Sequence, residues 1–266
     1  MKDWQSNKKA HDKYWGSLYE FISKGIDNSN FEKSWTSLNR FELGSDVRTY
    51  GISDKFKTEP MSVFLSEKSE YLISALNPYI TSNTDCIIEL GSGWGRNILD
   101  LSTNKDFKNI DFIAGELSTS GQKVTKLFTN IFNLNVKSVD FNWHDVDSIY
   151  ALLKSTSYTS VVIYSYYSIE QIPHLNCDVF KNVLNLNIDV KFVHIEPVGF
   201  QYNSKACPWT GAGDLHYNRN LKNCLDELQK DNLIELDNVD IGYFQSHTTE
   251  AGKNATLIQW RKKHLP

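Results

Sequence analysis

The chemistry in this sequence is concentrated in Glu89-Leu90-Gly91-Ser92-Gly93-Trp94-Gly95. Glycines carry no Cβ, so this backbone can turn sharply and approach a ligand closely. The apolar run Cys86–Leu90 precedes the turn and the helix-like Arg96–Leu101 follows it. A helix N-terminus behind the turn offers free N–H groups. A dinucleotide fingerprint has the spacing G-x-G-x-x-G, closed by a small residue. Here the spacing is G-x-G-x-G, and Arg96 stands where the small residue would fall. Glu89, just before the turn, suits a ligand that carries positive charge, such as an amino group.

Further acids and histidines follow later apolar runs. Glu170 lies in Ser168-Ile169-Glu170-Gln171-Ile172, and Glu196 ends Phe192-Val193-His194-Ile195-Glu196 ahead of Pro197. Two such carboxylates can hold a cationic acceptor or take a proton from it. Equally, Glu170 can cap a helix and Glu196 can pair with a basic side chain. His194 is two residues from Glu196 and faces the same side of its strand. It reads either as a base or as a hydrogen-bonded core histidine. His174 and His216 are further candidates, His216 at a helical turn where it would face an acceptor or solvent. Cys207 lies in a long aromatic and glycine-rich loop, without an obvious base partner. No H-x-x-E-H or similar spacing implies a metal.

Strands and helices must position these groups. After residue 83, short apolar runs (86–90, 110–115, 136–141, 160–164, 190–195) alternate with helical stretches (96–101, 118–132, 147–154, 215–231). Two late runs, 233–244 and 255–260, would close the domain as an antiparallel pair. Such alternation predicts a mostly parallel α/β sheet covered on both faces. In such sheets ligands sit beyond the carboxyl ends of the strands. That is where the turn and both acids fall.

The run Glu89 to Gly95 resembles motif I of the class I S-adenosylmethionine-dependent methyltransferases, E/D-x-G-x-G-x-G. The resemblance implies a doubly wound, seven-stranded sheet with S-adenosylmethionine as cofactor. It assigns Glu89, Gly91, Gly93 and Gly95 to that cofactor. Glu116, twenty-seven residues after Glu89, matches the family's ribose-binding acid, whose two oxygens can accept from both hydroxyls. Asn142 and Trp143 fall where the family contacts adenine, with Asp145 as an alternative. The stretch from Tyr164 to Ile172 resembles the motif beside the methyl group, which points to Ser165 for the cofactor and Tyr167 for the acceptor. Residues 254–260 look like the seventh strand. The resemblance spans roughly residues 83–262.

The expected organisation is an N-terminal helical cap over residues 1–82 and a cofactor domain over residues 83–266. The first segment is rich in aromatics, and Trp15, Tyr19 and Ile22 have helical spacing. These side chains either dock the helices onto the sheet or cover the cofactor. Arg48 and Tyr50, in a polar loop between helical stretches, could reach the ligand from above. Seven Trp, 13 Tyr and 14 Phe leave aromatic walls for a water-poor site.

No apolar run is long enough to span a membrane, and the N-terminus lacks a secretory pattern. The four scattered cysteines do not read as a zinc site or a disulfide framework, so a reduced, cytoplasmic setting is expected. A net charge of -4 gives no basic field for nucleic acid. The reading is methyl transfer to a small soluble acceptor, leaning to an amine or guanidinium nitrogen held by Glu170 and Glu196. Alternatives are an O-methyltransferase of a sugar or natural product with a histidine base, a non-catalytic cofactor-binding module, and a nicotinamide dehydrogenase.

Overall fold

The computed structural model describes residues 8–27, 29–44, 46–52, 55–203, 218–245 and 254–263. The elements run α1 (Lys8–Lys24), α2 (Phe31–Leu43), β1 (Val47–Ile52), β2 (Lys55–Pro60), α3 (Met61–Leu76), β3 (Cys86–Leu90), α4 (Arg96–Leu101), β4 (Asp111–Glu116) and α5 (Thr119–Phe132). They continue with β5 (Val136–Asp140), α6 (Ser148–Lys154), β6 (Ser160–Tyr166), α7 (Asp178–Leu184), β7 (Asp189–Glu196), α8 (Leu221–Lys230), β8 (Ile234–Gln245) and β9 (Asn254–Lys262).

Nine strands form one sheet in the order β2-β1-β8-β9-β7-β6-β3-β4-β5. The run from β7 to β5 is parallel, and β9 enters antiparallel between β7 and β8. These are the seven expected strands. The N-terminal segment adds two more. Residues read from sequence as a polar loop form β1, which pairs with β2 along its length and with β8 at Gly51 and Gln245. Residues 47–60 are therefore part of the sheet and not of a purely helical cap. Val47 and Thr49 alternate with Arg48 and Tyr50, and on a pleated strand alternate residues face opposite sides.

The same period of two sorts the core. Ile87, Ala114, Val162, Tyr164, Val193 and Ile195 face a cluster built with α1 to α5, including Tyr19, Trp35, Leu65 and Phe128. Cys86, Ile88, Leu90, Ile113, Val161, Ile163 and Phe192 face the opposite cluster with α6, α7 and α8. Central parallel strands buried on both faces read as continuous apolar runs, as β3 does.

On the second face, Cys177 at the start of α7 and Cys224 in α8 are joined by a disulfide, their Cα atoms 5.2 Å apart. This overturns the expectation of unpaired cysteines. The residues are 47 apart in sequence, and only the docking of the loop before α7 against α8 brings them together. Asn220 and Leu175 pair around the bond, with Asn220 Oδ1 accepting from Leu175 N and Asn220 Nδ2 donating to Leu175 O. Cys86 is a buried thiol, pushed up to about 12 by burial. Cys207 lies outside the described residues.

Candidate active site

The strand order reverses between β3 and β6, since β3 pairs with both β4 and β6. A crevice opens at such a switch point beyond the strand ends. Here it holds a cavity of about 280 Å³, lined by residues from the Gly91–Gly95 turn, the ends of β4, β5 and β6, and α1. Gly91 has φ +79°, and a Cβ placed there would sit 2.5 Å from the Ser168 Cβ. Only glycine lets the first turn pass this closely to the loop after β6.

Glu89 points to the face carrying Ile87 and Tyr164, and is 1% exposed. Its Oε1 accepts from Asn97 Nδ2 at 2.7 Å and its Oε2 from Ile98 N at 3.2 Å. Burial pushes Glu89 up to about 7, opposed by Asn97, Lys68, Tyr164 and the Ile98 N–H. Glu116 ends β4 with its Oε2 accepting from Gly93 N at 2.9 Å. Its Oε1 accepts from Ser118 N at 2.8 Å and Ser118 Oγ at 2.5 Å. Burial raises Glu116, again against these donors. Ser118 also caps α5 by accepting from Gly121 N. One residue thus starts the helix and orients the acid, a local coupling favoured by serine at an N-cap.

Asn142 and Trp143 both line the cavity. The Asn142 Oδ1 accepts from His144 N, and Trp143 Nε1 donates to Ser168 Oγ at 3.3 Å. Asp145 is not on the cavity wall; its Oδ1 accepts from Asp147 N. Tyr167 and Glu170 are on the wall, Tyr167 with φ +51° and its ring tilted against Tyr166. The turn that carries them is held by Glu196. Its carboxylate accepts from the N–H groups of Ser168, Ile169 and Glu170, each at 3.1 Å.

That arrangement corrects the role expected of Glu196. It is fully buried and absent from the cavity wall, so it holds the loop after β6 and does not face the cavity. Burial pushes it up to about 7, against Ser165 and the three N–H donors. Ser165 and His194 are corrected with it. His194 does share a strand face with Glu196, but that face is covered by Phe180, Phe192 and Trp260. Trp260 Nε1 donates to His194 Nε2 at 2.9 Å, and His194 Nδ1 lies 3.0 Å from Ser165 Oγ. An indole can only donate, so Nε2 carries no proton and Nδ1 does. Both nitrogens are engaged in a dry interior, which leaves no base for an acceptor. Ser165 is buried beneath the sheet with it, and Ser168 takes the cavity position instead. Tyr50 is buried on β1, edge-on to Phe64, with Lys57 5.2 Å from its ring centroid, and does not reach the cavity. His174 is exposed and off the cavity wall. His216 lies outside the described residues.

Burial holds the His194 ring down to about 3, against 6.5 when free. The unfolded chain therefore binds the proton first, and stability falls as pH drops from 6.5 toward about 3. His194→Gln can accept from Trp260 and donate to Ser165 without titrating. Its melting temperature should decline less steeply through that window than the wild type's; parallel curves would refute the assignment.

Several wall residues lie outside the sequence motifs. Trp15 and Tyr19 come from α1, and a Cβ on Gly93 would sit 3.2 Å from the Tyr19 hydroxyl. α1 is fastened to the N-terminus of α5 by Asp12, whose Oδ1 accepts from Ser120 N and Oγ. The amphipathic spacing of Trp15 and Tyr19 predicted the helix and left two surfaces for it to cover, the sheet or the ligand site; both residues line the cavity. Arg96 and Asn97 also line the cavity. Among the described residues, no cluster of His, Cys, Asp or Glu could hold a metal ion, and no helix is long and apolar enough to cross a membrane.

No protein-family model matches the sequence, and no curated protein matches it. Solved structures do match. Magnesium protoporphyrin IX methyltransferase from Synechocystis PCC 6803, with bound SAH, is 9% identical, with a TM-score of 0.50 over 97% of this chain and 100% of that one. Geranyl diphosphate C-methyltransferase from Streptomyces coelicolor A3(2), with S-adenosyl-L-homocysteine, is 14% identical, with a TM-score of 0.49 over 77% of this chain and 78% of that one. A SAM-dependent methyltransferase from Anabaena variabilis ATCC 29413 is 10% identical, with a TM-score of 0.48 over 76% and 85%. With β9 antiparallel beside β7 and a glycine turn after β3, the chain has the fold of the class I S-adenosylmethionine-dependent methyltransferases.

Proposed function

We propose that this protein transfers a methyl group from S-adenosylmethionine to a small acceptor, with a cationic nitrogen as the favoured target. The observation that carries this reading is the pair Glu89 and Glu116 flanking the Gly91–Gly95 turn at the switch point, both on the wall of one cavity. The residues fit the cofactor. Gly91 leaves a cradle that a Cβ would fill. Glu116 brings a carboxylate held by Gly93 and Ser118 to the cavity wall, where its Oε2 edge suits a ribose hydroxyl. Glu89 offers negative charge to the amino group, and Asn142 with Trp143 offers a polar edge and a ring to adenine. When bound, the cofactor supplies an electrophilic methyl group on a sulfonium.

The chain's own residues orient the acceptor. Trp15, Tyr19, Tyr166 and Tyr167 present rings to the same cavity, and Glu170 stands at its rim. Ring faces and one carboxylate suit a cation. Orientation in a dry pocket is itself a large part of such a reaction. Of the candidate bases, His194 and His174 are off the cavity wall.

Isothermal titration with S-adenosylhomocysteine, followed by labelled-methyl transfer to pools of amines, tests the reading. Glu170→Gln should raise KM for a cationic acceptor by about tenfold, the loss of one charge-assisted hydrogen bond. Cofactor affinity should stay unchanged. An unaltered KM would remove Glu170 from the acceptor site, and transfer only to uncharged hydroxyls would replace the nitrogen reading.

A further inference from the structure

We propose that Lys68 is a positioning residue, which sets the direction of the Asn97 amide from behind the cavity and so aims the Glu89 carboxylate at the cationic end of the cofactor. The inference rests on the functional reading above. Lys68 belongs to α3, outside the cofactor motifs, and is 8% exposed. Its Nζ donates to Asn97 Oδ1 at 2.7 Å, and Asn97 Nδ2 donates to Glu89 Oε1 at 2.7 Å. Glu89 and Asn97 line the cavity; Lys68 does not.

The chain has a fixed sense. An ammonium has only donors, so it must face the amide oxygen. The amide NH₂ then faces Glu89 and requires an acceptor there. Asn97 is 8% exposed and Glu89 1%, so water is poorly placed to take over either link. The Lys68 ammonium also lies 4.5 Å from the centroid of Tyr166, a cavity-wall ring. It is thus fixed from two sides.

The electrostatics run the same way. Burial pushes Glu89 up to about 7, and Asn97 and Lys68 hold it down. The other titratable groups around it are Tyr164 and Tyr166 on β6 and Asp100 on α4, all of which are raised by burial. Asp100 is likewise held down by Lys68. Lys68 is therefore the cation that α3 contributes to this group, while Arg96 on the cavity wall acts on Tyr166. Without it, Glu89 retains its proton to higher pH, and a neutral acid is a poor partner for an ammonium.

The test compares two probes by isothermal titration between about pH 6 and about pH 9. S-adenosylhomocysteine carries the amino acid arm; 5′-methylthioadenosine lacks it. Lys68→Met should bind S-adenosylhomocysteine about tenfold more weakly near pH 7, recovering as pH rises, with 5′-methylthioadenosine unchanged. Lys68→Arg should restore most of the affinity. Should Lys68→Met fail to fold, Asn97→Leu cuts the same chain one link nearer and should give the same selective loss. Equal weakening of both probes, or none at any pH, would overturn the positioning role. A wild type that binds neither probe would overturn the functional reading itself, and this inference with it.

Discussion

Replacing Glu116 with Gln should weaken cofactor binding by about 10- to 100-fold and loosen either the glycine turn or the start of α5. A hydrogen bond to a charged group contributes about 1.5–3 kcal/mol, and the one that Oε2 would accept from the ribose is at stake. The native carboxylate is an acceptor on both oxygens, toward Gly93 N on one side and Ser118 N and Oγ on the other. Glutamine has one acceptor and one donor. Whichever way its amide turns, NH₂ confronts a backbone N–H, so the Gly93 side of the turn or the Ser118 side of α5 loses its anchor. Titration calorimetry with S-adenosylhomocysteine measures the loss. An affinity within about twofold of the wild type would mean that the ribose lies elsewhere, which ordinary scatter of single hydrogen bonds cannot explain.

The place of Glu116 at a strand end was legible in the sequence because local rules fix it, whereas its role came from the family resemblance. Glu116 ends a strand whose last five residues are all buried and stands two residues before a serine N-cap, and both are short-range signals. The sheet from β3 to β9 was readable for the same reason. What sequence could not supply was the identity of the material covering each strand face. His194 and Glu196 were read as sharing a face, and they do; that face is sealed by Phe180, Phe192 and Trp260. Glu196 at a strand tip resembled a ligand acid, yet three N–H groups of the next loop reach it first. The disulfide, the pairing of β1 with β8 and the reach of Trp15 into the cavity are all contacts across long separations. Each depends on where whole elements dock, so no spacing in the chain encodes it. Lys68 illustrates the limit, since a lysine inside an amphipathic helix reads as a solvated side chain until α3 is seen packed over α4.

Gly121→Ala is expected to destabilise the protein by about 2–3 kcal/mol and to weaken cofactor binding by at least about tenfold. Helix propensity alone predicts the opposite, a gain of about 0.5–1 kcal/mol for replacing a helical glycine with alanine. The packing term wins because of what the new methyl meets. A Cβ at Gly121 would lie 2.5 Å from the Gly93 carbonyl oxygen, 2.7 Å from Ser118 Oγ and 3.0 Å from Glu116 Cγ. The nearest of these is backbone, which cannot rotate aside as a side chain can. Ordinary carbon–oxygen contacts are about 3.3–3.6 Å, so the turn or the helix must shift by most of an ångström. Gly93 N donates to Glu116 Oε2, and Gly121 N donates to Ser118 Oγ. Displacing either carbonyl or helix therefore strikes Glu116 and its cap together. Denaturant midpoints and titration calorimetry on the same preparation measure both effects. If the variant gained stability, as propensity predicts, while keeping its affinity, α5 would not be packed against the glycine turn, and Glu116 would no longer be joined to Gly93 in the way this site requires.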